Sequence, residues 1–174
     1  MPESLQAIPF SKKLLTHVKD FDFGPESYQQ ELGYWLRIES LSAIPFGTQV
    51  WLYADRDNEI VGYGSLGLDD WNPPEGTGID LRVIPAVALR KEYWGHPPEA
   101  QRDGRYSSQM LRHLIERAEA MPEGLPLLGL FVHPDNIAAI RLYERHGFRP
   151  FNHKYRDETS GVEYRTFLRK LKKT

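Results

Sequence analysis

Apolar positions recur along the chain at two spacings, and the switches between them mark its elements. Leu5 to Phe10 reads as a short strand. Lys12 to Val18 sets Leu14, Leu15 and Val18 at helical spacing, and Gly24-Pro25 then breaks the chain. Tyr28 to Leu41 places Leu32, Trp35, Leu36 and Glu39 in a helical arrangement that Pro45-Phe46-Gly47 ends. Two strands then flank a turn. Val50 to Tyr53 leads through Asp55-Arg56-Asp57-Asn58 to Ile60–Leu66, with β-branched and aromatic flanks that favour pairing. Asp69 to Gly78 is rich in Pro, Gly and Asp and reads as a loop.

Ile79 to Leu89 is a long apolar run with Pro85 inside it. Proline cannot donate to a sheet ladder, so the run must bulge, break or lie at an edge. Trp94 to Gly104 reads as a second loop. In Tyr106 to Met121, residues Met110, Leu111, Leu114, Ile115 and Ala118 form one helical stripe, with Ser107 or Ser108 available as N-cap. Leu127 to Val132 is an apolar strand, and Ile137 to His146 a helix opened by Asn136 and closed by Gly147-Phe148. Strands at Phe151–Arg156 and Val162–Leu168, joined around Asp157 to Gly161, complete the chain. The order β-α-α-β-β-β-α-β-α-β-β predicts an α/β (α+β) fold with a mixed sheet.

Composition narrows the chemistry. With 174 residues the chain suits one domain, residues 1–174. There is no cysteine, which removes thiol nucleophiles, thiolate metal sites and disulfides together. The net charge of −2 argues against a nucleic-acid footprint over the whole domain, and Arg169-Lys170-Leu171-Lys172-Lys173 reads as a short solvated basic end. No segment approaches a membrane span and no apolar leader is visible, so a cytoplasmic protein that does not engage membrane is expected. The six histidines show no metal-ligand spacing, and no metal is expected. No serine and histidine share a nucleophile-elbow setting, which argues against a hydrolase.

Two junctions could carry chemistry. Arg102, Gly104, Arg105 and Ser107 stand where a helix begins, and unpaired N–H groups with a partial positive charge make such a start suitable for phosphate. Farther on, Asn136, Ala139 and Tyr143 fall at spacings of three and four on one helix face. Ala139 leaves room there, and Tyr143 offers a hydroxyl beside it. As pattern alone, Tyr143 reads first as a core tyrosine.

The second block, Asn136-x-x-Ala139-x-x-x-Tyr143-x-x-x-Gly147-Phe148 after an apolar strand, resembles the GNAT superfamily of acyl-CoA N-acyltransferases. With the element order, the resemblance extends over about Leu5 to Leu168. It implies a mostly antiparallel sheet in which two parallel strands, here Ile79–Leu89 and Leu127–Val132, splay to admit acetyl-CoA as co-substrate. Pro85 fits the bulge that the family often has in the first of these strands. The family's pyrophosphate loop, Gln/Arg-x-x-Gly-x-Gly/Ala, fits in two registers. One starts at Gln101 with Gly104 in place. The preferred one starts at Arg102, with Arg105 at the first glycine and Ser107 at the second small position. Both depart from the pattern.

The resemblance implies that Val87 and Leu89 lie along the pantetheine and that a backbone N–H near them meets the oxyanion. Arg102, Asp103, Gly104, Arg105, Tyr106 and Ser107 would hold the pyrophosphate, Asn136 would contact pantetheine or order the helix start, and Ala139 and Tyr143 would line the cofactor site. Tyr143 would give a proton to the leaving thiolate. The reaction implied is direct transfer of an acetyl group to a primary amine. Glu92, Asp80, His133 and Glu99 are candidate bases, with water as an alternative, and Glu92 is the one carried forward. The acceptor, a small molecule or a peptide amine, would be framed by Tyr28–Phe46 and Asp157–Gly161, with Tyr28 and Trp35 as possible contacts. The loop from residue 90 to 101 is longer than the family's and could wall either site. A monomer or a homodimer is compatible with the sequence. An acyl-CoA-binding sensor without turnover, or an interaction domain on the same fold, is the alternative.

Overall fold

The computed structural model describes residues 4–71, 79–122, 126–158 and 160–172. The strands are β1 (Gln6–Pro9), β2 (Gln49–Ala54), β3 (Ile60–Trp71), β4 (Ile79–Ile84), β5 (Val87–Leu89), β6 (Leu127–Val132), β7 (Arg149–Arg156) and β8 (Glu163–Lys170). The α-helices are α1 (Leu15–Val18), α2 (Ser27–Tyr34), α3 (Ser40–Ala43), α4 (Tyr106–Ala120) and α5 (Ile137–Arg145). The ladders run β1-β2-β3-β4-β6-β8-β7, with β5 also on β3. The β4–β6 pair is parallel and the other pairs are antiparallel, a mixed sheet as the sequence pattern predicts, with the parallel pair where the resemblance implies it. The chain forms two compact units, residues 1–66 with 86–114 and residues 67–85 with 115–174.

In the first unit, β2 pairs with β1 and with residues 60–66 of β3. Their apolar side meets Phe10, Val18, Phe23, Leu36 and Ala88 in one buried cluster. The helical stretch read from Tyr28 onward is longer than its periodicity shows. It starts at Ser27, carries a π-helical turn at Trp35–Glu39, and ends in a 3-10 turn at Ile44–Phe46. Gly47, at φ 98°, stops it in the left-handed region that glycine tolerates. At the other end the Glu26 side chain and the Gln29 side chain reciprocally satisfy each other's backbone N–H groups.

The run at 79–89 is divided as Pro85 requires, into β4 and β5. Ser65 mends the break. Its hydroxyl donates to the Ala86 carbonyl (2.7 Å) and accepts from the Ala86 N–H (3.0 Å). The β3–β5 register pairs Gly64 with Val87, and the β3–β4 register pairs Gly67 with Val83. Two residues of β3 therefore stand against three of the returning chain, a bulge. Ser65 is wholly buried, so Ser65→Ala leaves two backbone groups without partners. We expect it to lower unfolding free energy by about 1–3 kcal/mol in a denaturant titration; an unchanged midpoint would show that water replaces the hydroxyl.

In the second unit, residues 67–71 of β3 pair with β4, and β4 pairs in parallel with β6. The expected loop at Asp69–Gly78 is therefore strand through Trp71, and residues 72–78 lie outside the described residues. Leu81, Val83, Leu127 and Leu168 pack on one side of these strands. Leu128, Leu130, Val132, Ile140, Tyr143, Phe148 and Phe167 are also buried. The β7–β8 connection is a hairpin turn in which Asp157 N–H donates to Val162 O (2.9 Å). The basic run near the C-terminus begins within β8, where Arg169 donates to the His146 carbonyl at the end of α5.

Candidate functional site

The open side of β5 is a consequence of ladder geometry. Arg90 N–H donates to Val61 O (2.8 Å). Opposed residues of an antiparallel pair alternate between facing each other with their polar groups and facing away. Ala88 and Arg90 therefore turn their backbone groups toward β3, and Val87 and Leu89 turn theirs to the opposite edge. Among the described residues β5 pairs with β3 alone. Gly62 makes the approach close, since a Cβ there would collide with the Ala88 carbonyl oxygen.

Past β5 the chain is pinned rather than loose. Arg90 donates to Ile60 O (2.8 Å), stacks over Phe21 at 4.1 Å and forms an ion pair with Glu92. Glu92 is 61% exposed at its side chain, so its carboxylate faces solvent and Arg90. The Trp94 indole N–H donates to the Leu89 carbonyl (3.1 Å). Tyr93 packs edge-on to His96 and near Tyr106, whose N–H donates to His96 O (2.9 Å).

The loop before α4 differs from the simple cradle expected. Gly104 N–H donates to Gln101 O (2.9 Å) and Arg105 N–H to Arg102 O (3.3 Å). With Tyr106 engaged by His96, three of the expected phosphate-facing amides have internal partners. Those of Arg102, Asp103 and Ser107 have no partner among the described residues. The helix starts at Tyr106, so neither Ser107 nor Ser108 is its N-cap. Arg105, extended at φ −71° and ψ 153°, precedes it, and its carbonyl accepts the Gln109 N–H (3.0 Å). Arg105 is half-buried, and its Nε has no hydrogen-bond partner among the described residues. Arg102 and Asp103 are exposed. Gln109, which the sequence pattern did not single out, ties the loop in place. Its Nε2 donates to Gly104 O (2.8 Å), and its Oε1 accepts the Leu5 N–H (2.9 Å).

Trp35 stacks on Tyr63, with ring centroids 6.0 Å apart and planes 2° from parallel, against the buried cluster. Tyr28 is half-buried on α2. Glu99 is exposed.

In the second unit, Asn136, Ala139 and Tyr143 stand together on α5 as their spacing predicts. Asn136 Oδ1 accepts the Ala139 N–H (3.3 Å), so the asparagine caps the helix. Gly147 takes φ 85°, and Phe148 N–H closes onto Tyr143 O (3.0 Å). Tyr143 is 7% exposed and meets Phe148 edge to face. Burial pushes its phenol up to about 12. His133 accepts the Asp135 N–H at Nδ1 (3.1 Å), which places the proton of the neutral ring on Nε2. Asp80 lies on β4, and its side chain is outside the described residues. Among the described residues no three His, Asp or Glu side chains group as a metal site, and no helix is long and apolar enough to cross a membrane.

A family model described as Acetyltransferase (GNAT) family matches residues 13–148. No curated protein sequence matches the chain. Solved structures of the same fold do. An acetyltransferase of the GNAT family from Staphylococcus aureus Mu50 has a TM-score of 0.66 and 17% identity, covering 97% of this chain and 100% of its own. Arabidopsis thaliana NAA60, solved with a bisubstrate analogue, gives 0.64 at 15% identity over 98% and 100%. The NatC complex bound to Gag peptide and CoA gives 0.59 at 16% identity over 97% and 99%.

Proposed function

This chain belongs to the acetyltransferase (GNAT) family, and on that premise we propose that it moves an acetyl group from acetyl-CoA to a primary amine. The observation that carries the reading is the open edge of β5. Pantetheine is a flexible arm with two amides, and the outward N–H and C=O of Val87 and the outward N–H of Leu89 offer it strand-like pairing. The start of α4 supplies the complement for the pyrophosphate. There, among the described residues, the Arg102, Asp103 and Ser107 amides are open, and the Arg105 guanidinium carries a buried Nε without a partner.

The reaction then needs no covalent enzyme intermediate. The neutral amine attacks the thioester carbon, and an outward N–H of β5 stabilises the oxyanion as the C–N bond forms. The C–S bond breaks, and the Tyr143 phenol protonates the departing thiolate. One of the two amine protons leaves through water, which returns a proton to the Tyr143 phenolate, and the other stays on the amide nitrogen. Glu92 does not take the departing proton directly in this reading, because Arg90 holds its carboxylate. Asn136 and Ala139 shape the helix turn that carries Tyr143.

Arg105→Ala should weaken acetyl-CoA binding about tenfold, as for one lost charged hydrogen bond, and leave S-acetylpantetheine, which lacks the pyrophosphate, unaffected. Equal weakening of both would refute the register that begins at Arg102.

The overall test is an amine panel of small amines and peptide amino termini. Peptides are included because the related NatC complex is bound to a peptide. Released CoA is detected with a thiol reagent, and the absence of cysteine from the chain makes the product the sole thiol. Stoichiometric thiol and N-acetyl product are expected for at least one class. Acetyl-CoA binding with no release for any amine would favour the non-catalytic sensor instead.

A further inference from the structure

We propose that Trp94 closes the far end of the β5 edge and forms the wall on which the pantetheine arm lies. The inference rests on the acyl-CoA reading above and adds a positioning residue to it. Val87 and Leu89 alone turn backbone groups outward from β5, and together they offer two N–H donors and two carbonyl acceptors. One of these four is already engaged. The Leu89 carbonyl receives the Trp94 indole N–H at 3.1 Å. The free edge therefore ends in an aromatic ring, and the groups left for a ligand are the Val87 N–H and carbonyl and the Leu89 N–H.

The ring is held but not covered. The 3-10 turn Lys91–Tyr93 leads into it, and the Trp94 N–H donates to Lys91 O (3.2 Å). Arg90, stacked over Phe21 and bonded to Ile60 O, anchors the residue where the turn begins. Trp94 itself is 46% exposed. A large apolar surface left in solvent beside an open strand edge suits an arm that is itself partly apolar. Its methylenes and gem-dimethyl group pack on a ring face, while its amides pair with the backbone. An indole on the last carbonyl also denies the arm a slipped register. The length of the segment from residue 90 to 101 gains a purpose from this, because the turn it contains sets Trp94 back against β5.

The test uses the full chain and three probes of defined structure. In calorimetry Trp94→Ala should weaken acetyl-CoA and S-acetylpantetheine alike, by about five- to tenfold for a lost ring contact. It should leave 3′-phosphoadenosine 5′-diphosphate, which has no arm, within about twofold. Trp94→Phe keeps a ring and should recover part of the loss. Acetyl-CoA should change the intrinsic fluorescence of the wild-type chain and change that of Trp94→Phe much less. Unaltered acetyl-CoA affinity in Trp94→Ala overturns the inference. So does equal weakening of the arm-free nucleotide, which would mean that the loop before α4 had collapsed. A wild-type chain that binds 3′-phosphoadenosine 5′-diphosphate and acetyl-CoA, with Trp94→Ala binding both as well, leaves the acyl-CoA reading intact and removes Trp94 from it. A wild-type chain that binds none of the three ligands overturns both.

Discussion

Tyr143→Phe should lower kcat about a hundredfold, the worth of a positioned general acid, with acetyl-CoA affinity held within about twofold. The substitution removes one oxygen from a ring that is almost fully buried and packed on Phe148, so the helix and its caps stay in place. A thiolate leaves a tetrahedral intermediate more readily as a proton reaches it, and a phenol that keeps its proton is suited to that task. Burial pushes Tyr143 up to about 12. The folded state prefers the neutral phenol, so the acid form is present throughout the working range, at the cost of a smaller driving force for giving up the proton. The pH–rate profile should therefore show no descending limb from Tyr143 below about pH 12. Stability should fall only as pH rises from the ordinary tyrosine value, near 10, through that raised one. An unchanged kcat in the phenylalanine variant would remove Tyr143 from the mechanism.

Gly62→Ala should destabilise the fold by about 1–3 kcal/mol, the usual range for overpacking, and abolish measurable acetyl-CoA binding. The added methyl collides with the Ala88 carbonyl oxygen and stands 3.2 Å from Leu89 Cα. Both are backbone atoms, so relief requires β5 itself to move, and the outward groups of Val87 and Leu89 move with it. Gly64→Ala is the control. Its Cβ meets Leu114 Cδ1 at 2.9 Å and Tyr53 Oη at 3.1 Å, the ends of side chains that can give way. That variant should lose some stability and retain binding. If Gly62→Ala binds acetyl-CoA like the wild type, β5 is not the edge that holds the arm.

The parts of the molecule that local chemistry controls are legible from the sequence. Asn136 caps α5 with its own side chain, Gly147 supplies the left-handed residue, and Phe148 closes the end onto Tyr143. All three act within one helix and its flanks, so their spacing is enough to find them. Pro85 announces its break for the same reason. Contacts distant in sequence are not legible in that way. The start of α4 is set by Tyr106 N–H reaching His96, ten residues back, and not by either serine. Ser65 looks like any small strand residue until the register brings Ala86 across from it. Residues Asp69 to Trp71 are polar enough to suggest a loop, yet pairing with β4 holds their backbone in the strand. Trp94 and Gln109 carry no spacing signal, since Trp94 reaches back from an irregular turn to the Leu89 carbonyl and Gln109 joins the Gly104 carbonyl to the distant Leu5 N–H.

The most direct test of the acyl-CoA account is calorimetric titration of the full chain with acetyl-CoA. Saturable binding of one acetyl-CoA per chain, at micromolar concentration and lost in Gly62→Ala, is the expected result. No heat of binding at millimolar acetyl-CoA would contradict it.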